Sequence, residues 1–470
     1  MPRRIALLSC LVLIAASGVS GAAKAQPADD ACSSAAPSAA MCIGPQKPLD
    51  AYAAQCRRNG GPEEACAAVP YGHAPRASAL AAYRTSWLHR TAAFQFALGD
   101  RVGLGDAQWI GTHNSFNTDA NGVTLSHTDS NQQLTLTEQL DSDVRSIELD
   151  LHFVNGPENG LGSRVVRVCH GRGADELHAG CTNEPLLSAV LPEINRWLTA
   201  NPGQVVLLYL EDAIEDDAGY EQAIDALDTG LVNADGSSRI YRPVAPPSNG
   251  CRQLPLSLTR ADVLAAGRRV ILVGNCRAGW APRVFGWDNH VESGSTPDYA
   301  AYPGCDKTYD RGVYADKLVR YFEDSTWLSA AIDPGESPAG HEAGALTPAR
   351  VAAMTACGVN LLGLDQFDPN DGRVAASIWS WADGEPSAPA GCAAQRPEDG
   401  RWTSVACEGA RPVACRTASG FALTSPVPAL AATAACAAIG GAFDPPRTGE
   451  ENRALRAAAA GASPWLHATA

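Results

Sequence analysis

From about residue 104 to residue 370 the chain repeats one pattern: a short β-rich run, a polar terminus, then a helical or loop segment. The runs are Gln108–Gly111, Val144–Phe153, Val165–Cys169, Val205–Leu210, Arg269–Val273 and Val359–Leu364. Two intervening helices are well punctuated. Leu186 to Ala200 carries apolar residues at helical spacing and stops at Asn201-Pro202-Gly203. The other has Thr347 as N-cap, Pro348 in its first turn and Gly358 after its last. Strands alternating with helices over this length predict a parallel α/β barrel or a doubly wound sheet. The stretch from 213 to 265 reads as irregular, so a barrel would be a distorted one.

The flanks differ from this middle. Arg3 and Arg4, the apolar run Ile5 to Ala16, and Ala23-Lys24-Ala25 have the form of a signal peptide over 1–25, with the mature chain starting at Gln26. That predicts a secreted or periplasmic protein. Residues 26–100 are Ala-rich with four cysteines, predicting a helical, disulfide-tied preface. After the barrel, over 376–470, Trp379, Trp381, Trp402 and four cysteines among turn residues predict a small disulfide-rich domain.

Charge and cysteine usage narrow the function. Lys plus Arg total 36 against 51 Asp plus Glu, a net charge of −15. A nucleic-acid binder needs the opposite balance, and generic adsorption to anionic lipid is disfavoured too. Apart from Cys10 in the leader, the 15 cysteines leave an even number, as a disulfide framework requires. Cys32, Cys42, Cys56 and Cys66 form one local group and Cys392, Cys407, Cys415 and Cys436 another. Cys169 with Cys181, Cys251 with Cys276 and Cys305 with Cys357 are plausible loop pairs. With no Cys-x-x-Cys pair, a zinc cluster is disfavoured.

The polar strand ends carry the chemistry. The first run leads into Gly111-Thr112-His113-Asn114-Ser115, and the second contains Glu148-Leu149-Asp150, whose i, i+2 spacing puts both carboxylates on one face. The third ends in Cys169-His170-Gly171 and the fourth in Leu210-Glu211-Asp212. In a parallel barrel these ends open onto one rim. Converging carboxylates repel unless a cation or protons sit between them. Oxygen donors from Asn114, Glu148, Asp150 and Glu211 suit calcium or magnesium rather than zinc, while His113 and His170 exchange protons with the oxygens of a phosphodiester.

These four motifs, in order and spacing, resemble the catalytic X region of phosphatidylinositol-specific phospholipase C and its secreted relatives. The resemblance covers about 104–215 and extends toward 370 through Asn360-Leu361-Leu362-Gly363-Leu364-Asp365-Gln366-Phe367; Asn131-Gln132 and Gln139-Leu140 also look like the family's approach to its second strand. It implies a distorted TIM barrel, with His113 and His170 as the acid/base pair and Asn114, Glu148, Asp150 and Glu211 as calcium ligands. The metal-free bacterial branch has an aspartate after its first histidine and an arginine where Asp150 stands. Asn114 and Asp150 therefore place this chain with the calcium-dependent branch, because an anion cannot do an arginine's work. Asp365 either orients His113 or is a buried structural carboxylate. Arg172 and Lys317 are candidate phosphate contacts, but no Lys/Arg cluster for a polyphosphoinositide is present.

Trp379–Pro386, Cys392, Trp402, Cys407 and Arg411–Cys415, followed by Cys436, Gly440-Gly441 and Glu451-Asn452, resemble a C-type-lectin-like domain with its halves in reversed order. That likeness implies a glycan partner, although Glu385-Pro386-Ser387 departs from the usual sugar-binding tripeptide and suits a structural cap. The whole reads as a secreted, calcium-dependent phosphodiesterase with a phosphodiester or phospholipid substrate, membrane-surface contact and no nucleic-acid partner. A glycerophosphodiester phosphodiesterase or sphingomyelinase-D-like enzyme is the rival within enzymes. A non-catalytic glycan- or lipid-binding surface protein is the rival outside them.

Overall fold

Trp109-Ile110-Gly111-Thr112 is largely apolar, as a parallel strand covered on both sides requires, and it forms β1 (Trp109–Thr112). The computed structural model describes residues 56–61, 63, 66, 77–118, 120, 131–156, 163–169, 184–243, 252–275, 277–280, 283–286, 290–293, 318–323, 345–387 and 391–468. The leader, His170, Arg172, Lys317 and Cys32, Cys42, Cys181, Cys251, Cys276 and Cys305 lie outside the described residues.

The strands after β1 are β2 (Ser146–Asn155), β3 (Arg164–Val168), β4 (Val206–Ala213), β5 (Ile240–Tyr241), β6 (Val270–Gly274), β7 (Phe285–Gly286), β8 (His290–Ser293), β9 (Leu318–Phe322) and β10 (Leu361–Leu364). They form one sheet in the order β5-β6-β4-β2-β1-β10-β9-β8, with β3 beside β2 and β7 beside β6. The first strand therefore lies between the second and the last, Trp109 opposite Leu361 and Gly111 opposite both Ser146 and Gly363. That is the neighbour order of a barrel, and it decides against the doubly wound alternative. The curled sheet is open between β7 and β8 among the described residues.

β3 corrects one expectation. It is no barrel strand: it folds back antiparallel on the long β2, with Val168 opposite Leu151. Period 2 alone does not distinguish a barrel strand from a hairpin arm. The stretch expected to be irregular contains α5 (Asp217–Gly230) and α6 (Arg260–Ala265), started by the Asp216 and Thr259 caps. The earlier helices are α1 (Ala77–Thr85), α2 (Trp87–Leu98), α3 (Leu136–Asp141) and α4 (Leu187–Ala200). α7 (Pro348–Cys357) has the expected Thr347 cap and a left-handed Gly358 at φ 83°, and α8 (Gly372–Ser377) follows β10.

Alternation along each strand divides the apolar residues into two cores. Ile147, Leu149, Val206, Leu208, Leu272, Leu362 and Leu364 face outward and belong to one core with Leu191, Ile194 and Leu198 of α4. Trp109, Leu207, Ile271, Val273, Leu318 and Leu361 face inward and fill the barrel floor. Toward the C-terminal strand ends the inward positions become polar.

The C-terminal residues form β11 (Cys392–Gln395), β12 (Trp402–Val405), β13 (Ala410–Arg411), β14 (Ala414–Thr417), β15 (Gly420–Leu423), β16 (Val427–Pro428) and β17 (Trp465–Leu466), with helices α9 (Ala432–Ala438) and α10 (Gly449–Ala459). Disulfides Cys392–Cys407 and Cys415–Cys436 tie this part, and Cys56–Cys66 ties the preface. Cys169 and Cys357 are also disulfide-bonded. Trp402 is fully buried and packs edge-on against Trp381, Trp379 and Phe94 of α2, joining the C-terminal residues to the helix that precedes the barrel.

Candidate active site and metal centre

β1 ends at Thr112, and the chain then turns sharply. Asn114 takes φ 43°, a left-handed conformation that asparagine tolerates better than most residues. Gln366 does the same after β10 at φ 46°. The two turns follow His113 and Asp365, which meet across adjacent strands: His113 Nδ1 lies 3.2 Å from Asp365 Oδ1. Asn131 donates to the same Asp365 oxygen at 3.1 Å, and the His113 ring packs against Phe322 at 4.8 Å between centroids. Gln132 clasps both turns through its amide, donating to the carbonyls of His113 and Leu364. Gln139 anchors the following residues by donating to the Ser115 carbonyl and accepting from Thr112. Asn131, Gln132 and Gln139 thus serve as braces for the histidine.

Burial works against a charge on His113, but the Asp365 carboxylate, with Glu148 behind it, outweighs burial and raises its pKa to about 9. Asp365 is itself fully buried, and its backbone N–H donates to Glu323. Glu323 in turn accepts from Arg373 of α8 at 2.6 Å. A buried ion pair so held fixes the position of β10 relative to β9.

The expected metal ligands also converge. Register places Asp150 opposite Glu211, and Glu148 points the same way two residues earlier. One ligand atom from each of Glu148, Asp150 and Glu211 lies within 4.8 Å of the others, with the first two buried and Glu211 exposed. The Asn114 side-chain amide faces Asp150: with its nitrogen turned that way it donates at 3.1 and 3.2 Å, and turned the other way its oxygen joins the carboxylates.

Burial, Glu211 and Glu148 together drive the Asp150 carboxyl well above the usual range, against a weaker pull from Arg320. Arg320 of β9 is the residue that sequence reasoning missed. Its Nη2 is 2.5 Å from Glu148 Oε2, and its guanidinium lies over the Tyr209 and Phe322 rings. The signal was a short run, Leu318-Val319-Arg320-Tyr321-Phe322, in which the arginine shares a face with Leu318 and Phe322. With all three carboxylates ionised, as metal ligation requires, one guanidinium leaves an excess of two negative charges, matching one divalent cation. All-oxygen donors suit a hard one. The residues fit the implied ion.

His170, the other expected acid/base group, lies outside the described residues. The preceding residue is fixed at the rim, where the Cys169 N–H donates to the Asp150 carbonyl at 3.1 Å. In the C-terminal part, the Glu385 carboxylate accepts from the N–H groups of Ser387 and Ser404 and from the Thr403 hydroxyl. Those bonds overcome the opposing effect of burial and hold its pKa down at about 2.

Comparison with known proteins gives the family. Among solved structures, the phosphatidylinositol-specific phospholipase C from Listeria monocytogenes is 19% identical with a TM-score of 0.39, over 61% of this chain and 97% of that one. A calcium-dependent phosphoinositol-specific phospholipase C from a Pseudomonas species is 14% identical with a TM-score of 0.30, over 58% and 92%. The curated relative "Uncharacterized protein Rv2075c" of Mycobacterium tuberculosis H37Rv is 48% identical, covering 97% of this chain and 96% of its own length. "Uncharacterized protein MT2135" of strain CDC 1551 matches with the same figures. A family profile described as the Rv2075c PI-PLC-like domain matches residues 68–371, a span that contains β1 through β10, and the chain belongs to that family.

Proposed function

We propose that this chain is an exported, calcium-dependent phosphodiesterase that cleaves a phosphoinositide or a related phosphodiester. The observation that carries the reading is the meeting, at one barrel rim, of the His113–Asp365 pair with the Glu148, Asp150 and Glu211 carboxylates. The disulfides support export, because such bonds persist in oxidising compartments.

Asn114, Glu148, Asp150 and Glu211 would hold the cation. Calcium at this position would neutralise charge on the phosphate and would offset Glu148, the carboxylate that adds to the Asp365 effect on His113 and must be countered before that imidazole can act as a base. His113, oriented through Nδ1 by Asp365, accepts the proton of the sugar 2-hydroxyl as that oxygen attacks phosphorus. The bond from phosphorus to the lipid oxygen breaks, and His170 gives a proton to the departing alcohol. The products are a cyclic phosphate and diacylglycerol. Arg320, beside Glu148, would be placed to offer its guanidinium to the phosphate.

We read residues 376–470 as a C-type-lectin-like cap rather than a sugar site, since the protein's own donors already occupy the Glu385 carboxylate. The test is a panel of phosphatidylinositol and glycerophosphodiesters incubated with calcium or with a chelator, with products identified by mass spectrometry. Cyclic inositol phosphate formed only with calcium is the expected result. Choline or glycerol release without a cyclic product would overturn it.

A further inference from the structure

At the N-terminal ends of β1, β2 and β4, opposite the carboxylate rim, lies a small cavity of about 60 Å³. Two buried guanidiniums line it near the Phe96 ring, Arg260 at 3.6 Å and Arg145 at 5.8 Å from the ring centre. Arg145 is well used: its Nε donates to Gln204 and its Nη1 to the carbonyls of Leu140 and Val144. Arg260 is not. Its Nε donates to Asp100 at 2.9 Å and its Nη2 to the Phe96 carbonyl, but the buried Nη1 has no acceptor.

A second unmet donor stands beside it. The indole Nε1 of Trp109 is buried without a partner, and the Arg260 guanidinium lies 4.9 Å from the Trp109 ring centre. Native proteins rarely leave buried donors unused, and each such group costs stability until an acceptor arrives. Burial lowers the Arg260 pKa to about 10, which still leaves it a cation at neutral pH. Gly99 preserves the arrangement, because a Cβ there would come within 2.8 Å of Arg260 Nη2. Phe96, Ile110, Leu362 and Trp379 supply apolar wall around the two donors.

We propose that this cavity binds a small oxyanion, a carboxylate or a phosphate, whose oxygens accept from Arg260 Nη1 and Trp109 Nε1. A guanidinium is the side chain best matched to either head group. The apolar wall admits a small organic body attached to it.

The full chain is labelled with ¹⁵N-tryptophan, and sodium phosphate and sodium benzoate are titrated separately. The Trp109 indole signal is identified by its loss in Trp109→Phe. It reports on this end of the barrel and is blind to phosphate bound at the catalytic rim. We expect that signal to shift saturably with at least one of the two anions; benzoate alone would identify an organic acid and phosphate alone a phosphate compound. By calorimetry, Trp109→Phe binds the effective anion about tenfold more weakly, the loss of one buried hydrogen bond. Ala93→Phe fills the cavity from its wall and abolishes the shift. A Trp109 signal unmoved by both anions overturns the proposal. So does a shift that persists in folded Ala93→Phe.

Discussion

His113 Nδ1 and Asp365 Oδ1 lie 3.2 Å apart although 252 positions separate the two residues in sequence. The contact exists because β1 and β10 are neighbours in the sheet, with Thr112 opposite Leu364. Each residue is the first past its strand, so closing the barrel brings them together.

Asp365→Asn keeps the shape of the side chain and removes the charge that orients His113. We expect kcat on phosphatidylinositol to fall by about 10²-fold or more with KM nearly unchanged, and the melting temperature to drop as well, because the buried partner of the His113 imidazolium loses its charge. A KM effect with kcat intact would assign Asp365 to substrate binding instead.

Calcium bound by the native state stabilises it by mass action, roughly 2.7 kcal/mol at a hundredfold excess over Kd. The melting temperature should therefore rise with added calcium and stay flat in Asp150→Ala. Equal responses in the two proteins would move the ion elsewhere.

Arg320→Met removes the guanidinium that is ion-paired with Glu148 and leaves a more negative cluster of carboxylates. Breaking a buried ion pair from one side costs about 3–5 kcal/mol. Melting in a chelator should thus drop, while calcium affinity measured by titration calorimetry rises. Weaker calcium binding would contradict the charge count.

His89 Nδ1 donates to Asp143 Oδ2, 2.7 Å away, a carboxylate oxygen that also accepts from the Tyr83 hydroxyl. The hydrogen bond to Asp143 raises the His89 pKa, against partial burial. A raised folded-state pKa adds stability that is complete below the unfolded value near 6.5 and disappears as pH rises through the folded one. His89→Gln should accordingly lose more stability at pH 5 than at pH 9 in denaturant titrations. A deficit that grows with pH would reverse the sign and refute the pairing.

Much of the site was legible in sequence because it consists of strand ends. A polar residue directly after an apolar run, as at His113, or two carboxylates at i, i+2, as at Glu148 and Asp150, are local signals. Asn131 and Gln139 were visible as motif residues, yet their work as braces depends on which carbonyls and hydroxyls the turns bring to them. Arg320 was not legible. One charged residue in a five-residue run has no local mark that it faces inward, and its partner Glu148 lies 172 positions away.

The sequence by itself determined the alternation of strands and helices, the helix caps at Thr347 and Gly358, and the carboxylate and histidine residues at the strand ends, since these follow from periodicity and backbone preferences acting over a few residues. Only the tertiary structure decided that β3 turns back as a hairpin arm, that β1 and β10 are neighbours, and that Arg320 offsets one of three carboxylates. Those outcomes depend on strand order and register, and hence on which buried charges come within a few ångströms of one another, where burial makes their interactions strong.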